Sequence, residues 1–194
     1  MPYSADHKRR TRAHIVETAR KLFNTHGFKG VSIDMIMESA GLTRGGFYNH
    51  FENKEGLYAE AVESFLMGRG AQWRAEAGID QNNLKPEMAK QMIMSYLSEE
   101  HLDDIDGQCP LIALPSDVAR ASPNVQQSYK MLLEAMSGLL EHTMGLADKG
   151  NRRDALSLTA LCIGGMVVAR SLPDDELASE VRNSALTKAL EVIE

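Results

Sequence analysis

No run of this sequence alternates apolar and polar residues with the period of two that a half-buried strand requires, whereas apolar residues recur at helical spacing in almost every segment. Near the N-terminus Ile15, Ala19, Leu22 and Phe23 stand at i, i+4, i+7 and i+8, one face of a helix from about residue 8 to residue 26. Residues 1–6 read as a frayed tail ahead of it, and Gly27 is placed to end it. Stripes of this kind can be buried only against other helices, so the predicted fold class is all-α.

Farther on, Ser32 is a helix cap followed by Ile33, Ile36, Met37 and Ala40 on one face, with Gly41 as the stop. Thr43 caps a second short helix reaching about His50, and a long helix is expected from about residue 53 to Ala77, where Gly78 interrupts it. Pro86 suits the first turn of a helix running to about His101, followed by an acidic loop over residues 101–107. Residues 109–121 read as a helix broken or bent at Pro115, and Ser122-Pro123 opens another with Val125, Tyr129, Leu132, Leu133, Met136 and Leu140 on its apolar face. Residues 153–171 are apolar nearly all round and should be buried on most sides. Pro173-Asp174-Asp175-Glu176 begins the last helix, with acids placed well for the helix dipole.

The chain has 194 residues and 43% hydrophobic content, ordinary for a globular protein with a real core. Its richest apolar stretch, residues 156–169, falls short of the roughly 18 residues of a membrane span and is bracketed by Arg152, Arg153 and Arg170. No apolar signal core follows the basic start, so a cytoplasmic protein is expected. Cys109 and Cys162 have no metal-ligand spacing and no disulfide framework, which fits a reducing compartment. The net charge of −6 is unevenly spread: residues 1–54 carry nine Lys and Arg against five Asp and Glu, the remainder twelve against twenty-two. A basic head on an acidic body fits a chain that meets phosphates only through its head. Lys8, Arg9, Arg10 and Arg12 oppose the dipole of their own helix; an anionic partner would explain this, a solvated charge run being the bland alternative.

Two short helices joined by a tight turn at Gly41 make a helix-turn-helix, whose second helix enters the major groove. That second helix carries Gly45 and Gly46, each costing about 1 kcal/mol relative to alanine, which is acceptable where another surface must come close.

The run from Ser32 to Leu57 resembles the signature of the TetR/AcrR family of regulators: the Ala40-Gly41 turn, a Gly-x-x-Tyr step ending at Tyr48, Tyr48-x-His50-Phe51 and Lys54-Glu55-x-Leu57, with Ala19-x-x-Leu22-Phe23-x-x-x-Gly27-Phe28 upstream. The resemblance covers about the first third of the chain. It implies an N-terminal three-helix helix-turn-helix domain, residues 1–52, and a C-terminal helical effector-binding and dimerisation domain, residues 53–194. It implies a DNA interface of Ser32 and Thr43 on phosphates, Arg44 as base reader, Gly45 at close approach, Tyr48 and His50 on the backbone and Lys54 as a phosphate clamp, with Phe47 and Phe51 turned into the core. Ser32 and Thr43 would serve as caps in any case, Tyr48 could merely pack, and His50 could be a surface histidine without a role. Two positions depart from the family pattern: Met37 where a small residue is usual, and Gly46 where Thr, Ala or Ser is common. The first would widen the angle between the short helices, and the second would remove one base or phosphate contact.

For the second half the resemblance implies a ligand pocket and a four-helix dimer interface made by the last two helices of each subunit. The apolar character of residues 153–171 supports the interface independently: Leu161, Gly164, Gly165 and Val168, with Val181, Leu186 and Leu190 of the last helix, are its candidates, and a two-fold dimer on a palindromic DNA operator follows. Met67, Trp73, Met92, Tyr96, Cys109, Ile112, Tyr129 and Met136 are candidate pocket residues, polarisable as a set although each alone could be plain core. The expected activity is a ligand-responsive regulator, a repressor released by a small, mostly apolar or electrophilic effector. An alternative is thiol-based sensing through Cys109, whose thiol a helix N-terminus could acidify. No catalytic constellation supports an all-α enzyme, no cofactor is implied, and His101 with Asp103, Asp104 and Asp106 reads as a solvated loop rather than a metal site.

Overall fold

The computed structural model describes residues 5–146, 150–173 and 175–193, and among these there are helices and turns but no strand. In chain order the helices are α1 (Ala5–Gly30), α2 (Ile33–Ser39), α3 (Arg44–Phe47), α4 (Lys54–Ser64), α5 (Arg69–Glu76), α6 (Met88–Tyr96), α7 (Glu99–Asp103), α8 (Pro110–Ala113), α9 (Pro115–Val118), α10 (Pro123–Gly145), α11 (Arg152–Arg170) and α12 (Asp175–Ile193). Residues 1–4 of the expected tail and Asp174 lie outside the described residues, while Ala5 and Asp6 already belong to α1.

The first three helices form a head around Ile15, Ala19 and Phe23 of α1, Ile36 and Met37 of α2 and Phe47 of α3, all fully buried. Burial of each large side chain is worth roughly 1.5–3 kcal/mol. The same stripe continues into α4: the Tyr58 ring lies 4.8 Å from both Phe23 and Phe28. Gly27 breaks the helical path inside α1 with φ 68, a left-handed conformation open to glycine. A Cβ there would stand 2.7 Å from Asp117 Oδ2, and that carboxylate accepts the Phe28 N–H at 2.8 Å. The end of α1 is thereby docked on α9.

The long helix expected from residue 53 to Ala77 is interrupted. α4 stops at Ser64 and α5 starts at Arg69. Gly70 donates to the Phe65 carbonyl five residues back, a π-type turn, and a Cβ on Gly68 would lie 2.9 Å from the Ser64 carbonyl oxygen. Two glycines within three residues make this the weak point of the helix. The helix expected to reach His101 also ends early, at Tyr96; Ser98 then caps α7, its hydroxyl accepting the His101 N–H at 3.1 Å. The supposed solvated acidic loop is therefore partly helical and tied down: Asp104 accepts from the Gly107 N–H at 2.8 Å and from Arg69 at 3.1 Å. Pro115 separates α8 from α9 as expected.

α10 packs against α4, α6 and α11, and α12 covers α11 and α6. α11 turns Ala155, Leu158, Cys162 and Met166 inward, but Leu156 and Val168 are 40% and 47% exposed, so the expectation of burial on most sides fails within one chain. A second joint fastens head to body. Arg20 donates to the Asp106 carbonyl at 2.8 Å and Asn24 to the Gln108 carbonyl at 2.7 Å. From α11, Arg170 donates to the Gln108 side-chain oxygen and to the Asn24 carbonyl.

Candidate nucleic-acid interface and inner cavity

The N-terminus of α2 is fixed by Ser32, whose hydroxyl accepts the Met35 N–H at 3.1 Å. Thr43 occupies the N-cap position of α3 without a side-chain hydrogen bond. α3 itself is a single turn, followed by further turn at residues 48–50, and so is shorter than expected. Thr43, Arg44, Gly45 and Tyr48 are exposed, whereas Phe47 and Phe51 are buried against the head. A Cβ added to Gly45 would meet nothing within 4 Å. Between the first turns of α1 and α3 lies a concavity of about 710 Å³, lined by His7, Lys8, Thr43, Gly45, Asn49 and His50 among others.

The cations of the head divide into two groups. Arg44 is exposed and pairs with Asp34 at 2.6 Å. Arg9 and Arg10 are largely exposed, each 2.6 Å from Asp6. Arg12, read as part of the same basic run, instead forks onto Glu60 of α4 at 2.5 and 3.1 Å, donates to the His50 carbonyl and covers the Phe51 ring at 4.1 Å. Lys54 is likewise directed inward: its ammonium donates to the carbonyls of Phe28 at 2.8 Å and Val31 at 2.7 Å and lies 4.2 Å from the Phe28 ring. Burial lowers the Lys54 pKa. His50 is half-buried with Nδ1 unpartnered; burial, then the charges of Lys8, Arg12 and His7, lower its pKa, which keeps the ring neutral near pH 7. The two departures from the family pattern meet each other, the Met37 methyl lying 3.6 Å from where a Cβ of residue 46 would be.

In the body, Trp73, Met92, Tyr96, Cys109 and Met136 surround one cavity, joined by Phe65, Leu66, Arg74, Gln81, His101, Leu111, Leu132, Ala135 and Leu139. Its free volume is about 50 Å³, room for a few waters and less than an occupied ligand site. Three expected lining residues are elsewhere. Met67 is 80% exposed in the turn between α4 and α5, opposite in helical phase to Tyr58, Val62 and Phe65. Ile112 is buried in the core, and the Tyr129 hydroxyl donates to the Leu111 carbonyl at 3.0 Å; neither lines the cavity. His101, assigned to a solvated loop, is buried: Nδ1 donates to the Tyr96 carbonyl at 2.8 Å, and its ring meets those of Tyr96 and Trp73 at 4.9 and 5.8 Å. Desolvation lowers its pKa. Cys109 is also buried, and burial pushes its thiol up to about 11, opposite to the expected acidification. The four-residue α8 behind it offers little dipole to offset that cost. The apolar i, i+4, i+7 spacing of Leu132, Met136 and Leu139 could have located the α10 wall; nothing in the sequence pattern marks Arg74 or His101.

Residues 15–61 match the model of bacterial regulatory proteins of the tetR family. The HTH-type transcriptional regulator AcrR of Shigella flexneri is 27% identical over 164 residues, covering 80% of this chain and 76% of its own length. Over residues 15–61 the chain is similar to the tetR family of bacterial regulatory proteins, and over most of its length to AcrR. Two solved structures share the fold of the whole chain. The reduced form of NemR from E. coli superposes with a TM-score of 0.77 at 17% identity, over 94% of this chain and 96% of that one. A TetR-family regulator from Cytophaga hutchinsonii gives 0.76 at 21% identity, over 99% and 98%. AcrR and the Cytophaga hutchinsonii protein are transcriptional regulators, and this chain shares their helix-turn-helix head and helical body. No helix among its described residues is long and apolar enough to cross a membrane.

Of the residues named for a TetR-type subunit interface, Leu161, Gly164, Gly165, Val168 and Val181 border one open groove of about 500 Å³ between α11 and α12. Leu186 and Leu190 are half-buried against the chain's own core instead. Gly165 also serves its own chain: a Cβ there would stand 2.6 Å from Ala185 Cβ, whereas one on Gly164 would meet nothing within 4 Å.

Proposed function

We propose that the protein is a ligand-responsive repressor: a homodimer that holds a palindromic operator through its two heads and releases it when a small, mostly apolar effector enters the inner cavity. The division lies near residue 52, with a DNA-binding head before it and an effector and dimer body after it. Ser32 and Thr43 present helix N-termini to phosphates, Tyr48 adds a backbone contact, Gly45 permits close approach, and Arg44 reads a base, most naturally guanine. His50 sits at the rim as a neutral ring. Lys54 acts by positioning, since its ammonium is already bonded to the connection between α1 and α2.

The observation that carries the response is the joint at residues 106–109. Cys109 lines the cavity, while the carbonyls of Asp106 and Gln108 just before it are held by Arg20 and Asn24 of the head. An effector that enlarges the cavity must displace its walls, and this wall is bonded to α1. The dimer places the recognition elements about 34–36 Å apart, or a multiple of that, so a small shift of each head loses the operator register.

DNA-binding titrations at stated salt with the DNA upstream of the protein's own gene test the assignment. Tyr48→Phe weakens binding to all sequences, and Arg44→Ala also relaxes sequence preference. Unchanged affinity and preference in both variants would sink it. Sensing through Cys109 is the second reading, and NemR, a structural neighbour solved in its reduced form, keeps it in view. The buried, protonated thiol favours a lining role instead, so Cys109→Ser leaves the response to a non-electrophilic effector in place.

A further inference from the structure

Arg74 stands in the wall of the inner cavity with only 8% of its surface exposed. A guanidinium stays charged in proteins and has five N–H donors. Here it makes a single hydrogen bond, from Nη2 to the Leu66 carbonyl at 2.7 Å, and no carboxylate pairs with it among the described residues. Its nearest-in-sequence acid, Glu76, is bonded to Arg69 at 2.9 Å, and Arg69 also holds Asp104. Those groups border a separate polar pocket on the far side of Trp73 and His101.

Burying a cation with one neutral acceptor is costly, and closing the break between α4 and α5 does not require it. A lysine, a glutamine or a backbone turn could satisfy one carbonyl. Desolvation lowers the Arg74 pKa, with only the Cys109 thiol opposing. A second polar group shares the wall. The Tyr96 hydroxyl is fully buried and has only the Cys109 thiol, a weak acceptor, beside it. Arg74 and Tyr96 are both donors; Gln81, His101 and Cys109 are the other polar members of the lining, and the α10 side with Phe65, Leu132, Met136 and Leu139 is apolar.

We infer that the effector is an apolar monocarboxylate, its chain or ring lying among the α10 side chains and its carboxylate taking Arg74 and the Tyr96 hydroxyl. This rests on the reading of the cavity as the effector site and deepens it from an apolar ligand to an apolar anion. The carboxylate supplies the missing counter-charge in a water-poor site, where a charge-assisted bond is strong and discriminates against neutral analogues. Met92 and Met136, the flexible members of the wall, would yield to a ligand larger than the free volume.

Octanoate and octanamide, matched in shape and differing in charge, are the probes. Trp73, the chain's one tryptophan and a lining residue, reports occupancy by its emission while calorimetry gives affinity on the full-length protein. The expected result is octanoate bound at least tenfold more tightly than octanamide. Arg74→Met abolishes that preference while sparing octanamide, and Tyr96→Phe reduces it. If Arg74→Met does not fold, Arg74→Lys, which keeps the charge without the fork, narrows the preference instead. Equal affinities of the two probes in the unaltered protein overturn the anion while leaving the cavity as an effector site. Failure of both to bind, or binding that leaves Trp73 emission unchanged, overturns the effector site and the anion together.

Discussion

Asn24 donates to the Gln108 carbonyl at 2.7 Å, joining α1 of the head to the residue that precedes Cys109 in the cavity wall. The bond crosses 84 residues of chain and is buried. Asn24→Ala leaves that carbonyl without its donor, at a cost of about 1–3 kcal/mol. It also loosens the route from cavity to head. The expected outcome is a lower Tm, operator affinity close to that of the unaltered protein without effector, and a smaller loss of affinity when effector is added. Paired DNA titrations with and without octanoate measure this; a full effector response in Asn24→Ala would show that the joint does not carry the signal.

Arg44, the proposed base reader, is held by Asp34 at 2.6 Å with both side chains more than half exposed. Such a pair contributes about 0–1 kcal/mol to stability, so it yields readily to DNA. Asp34 nevertheless brings negative charge close to the phosphates. Asp34→Asn is expected to raise operator affinity severalfold at low salt and to leave Tm within a degree or two. Titrations across a salt series check it, since the gain shrinks as salt screens the removed repulsion.

Lys54 distinguishes two roles that the family pattern alone merges. A phosphate clamp lost by substitution reduces the salt dependence of binding by about one counterion. A residue bonded to Phe28 and Val31 acts on the fold, each charge-assisted bond being worth roughly 1.5–3 kcal/mol before allowance for its partial exposure. Lys54→Met is therefore expected to lower Tm by several degrees and weaken operator binding with the salt slope unchanged. A slope reduced by one at unchanged Tm would return Lys54 to the phosphates.

Two histidines make stability depend on pH near neutrality. His50 and His101 both have pKa values below the ordinary 6.5 in the folded chain, chiefly through desolvation. The unfolded chain thus binds more protons as pH falls through about 6.5, and stability drops with pH there. The carboxylates of Glu17, Glu76 and Asp104, lowered in the fold, add a second loss at more acid pH, below about 4.5. Thermal melts across this range should show two steps, and a protein with both His50→Gln and His101→Gln should keep only the acid one.

What was legible in the sequence was whatever local chemistry decides. The cap at Ser32, the turn at Gly41 with φ 68 and the inward Phe47 and Phe51 all lie within a few residues of the features that set them. The cavity was half legible. One continuous helix would place Arg74 opposite Phe65, but the break at residues 65–68 shifts the phase, so that Arg74 faces the cavity, while Met67 is exposed in the turn. The partners of charged groups were the least legible. Arg12 and Lys54 look like surface cations until Glu60, Phe28 and Val31 are brought to them by tertiary packing.

Gly164 and Gly165 are adjacent yet predict opposite phenotypes. A side chain at residue 165 collides with Ala185 of the same chain, where α11 and α12 pack, so Gly165→Val is expected to destabilise each subunit by more than about 2 kcal/mol. At residue 164 there is open space, bordered by Leu161, Val168 and Val181 in the groove that would receive the partner subunit. Gly164→Leu is expected to leave the helical circular dichroism spectrum intact and to shift sedimentation from dimer towards monomer. Because a monomer holds one half-site, operator affinity should fall by orders of magnitude while binding to an isolated half-site is retained. A Gly164→Leu protein that stays dimeric with unchanged Tm would show that the subunits meet on another face, whatever the apolar exposure of Leu156 and Val168.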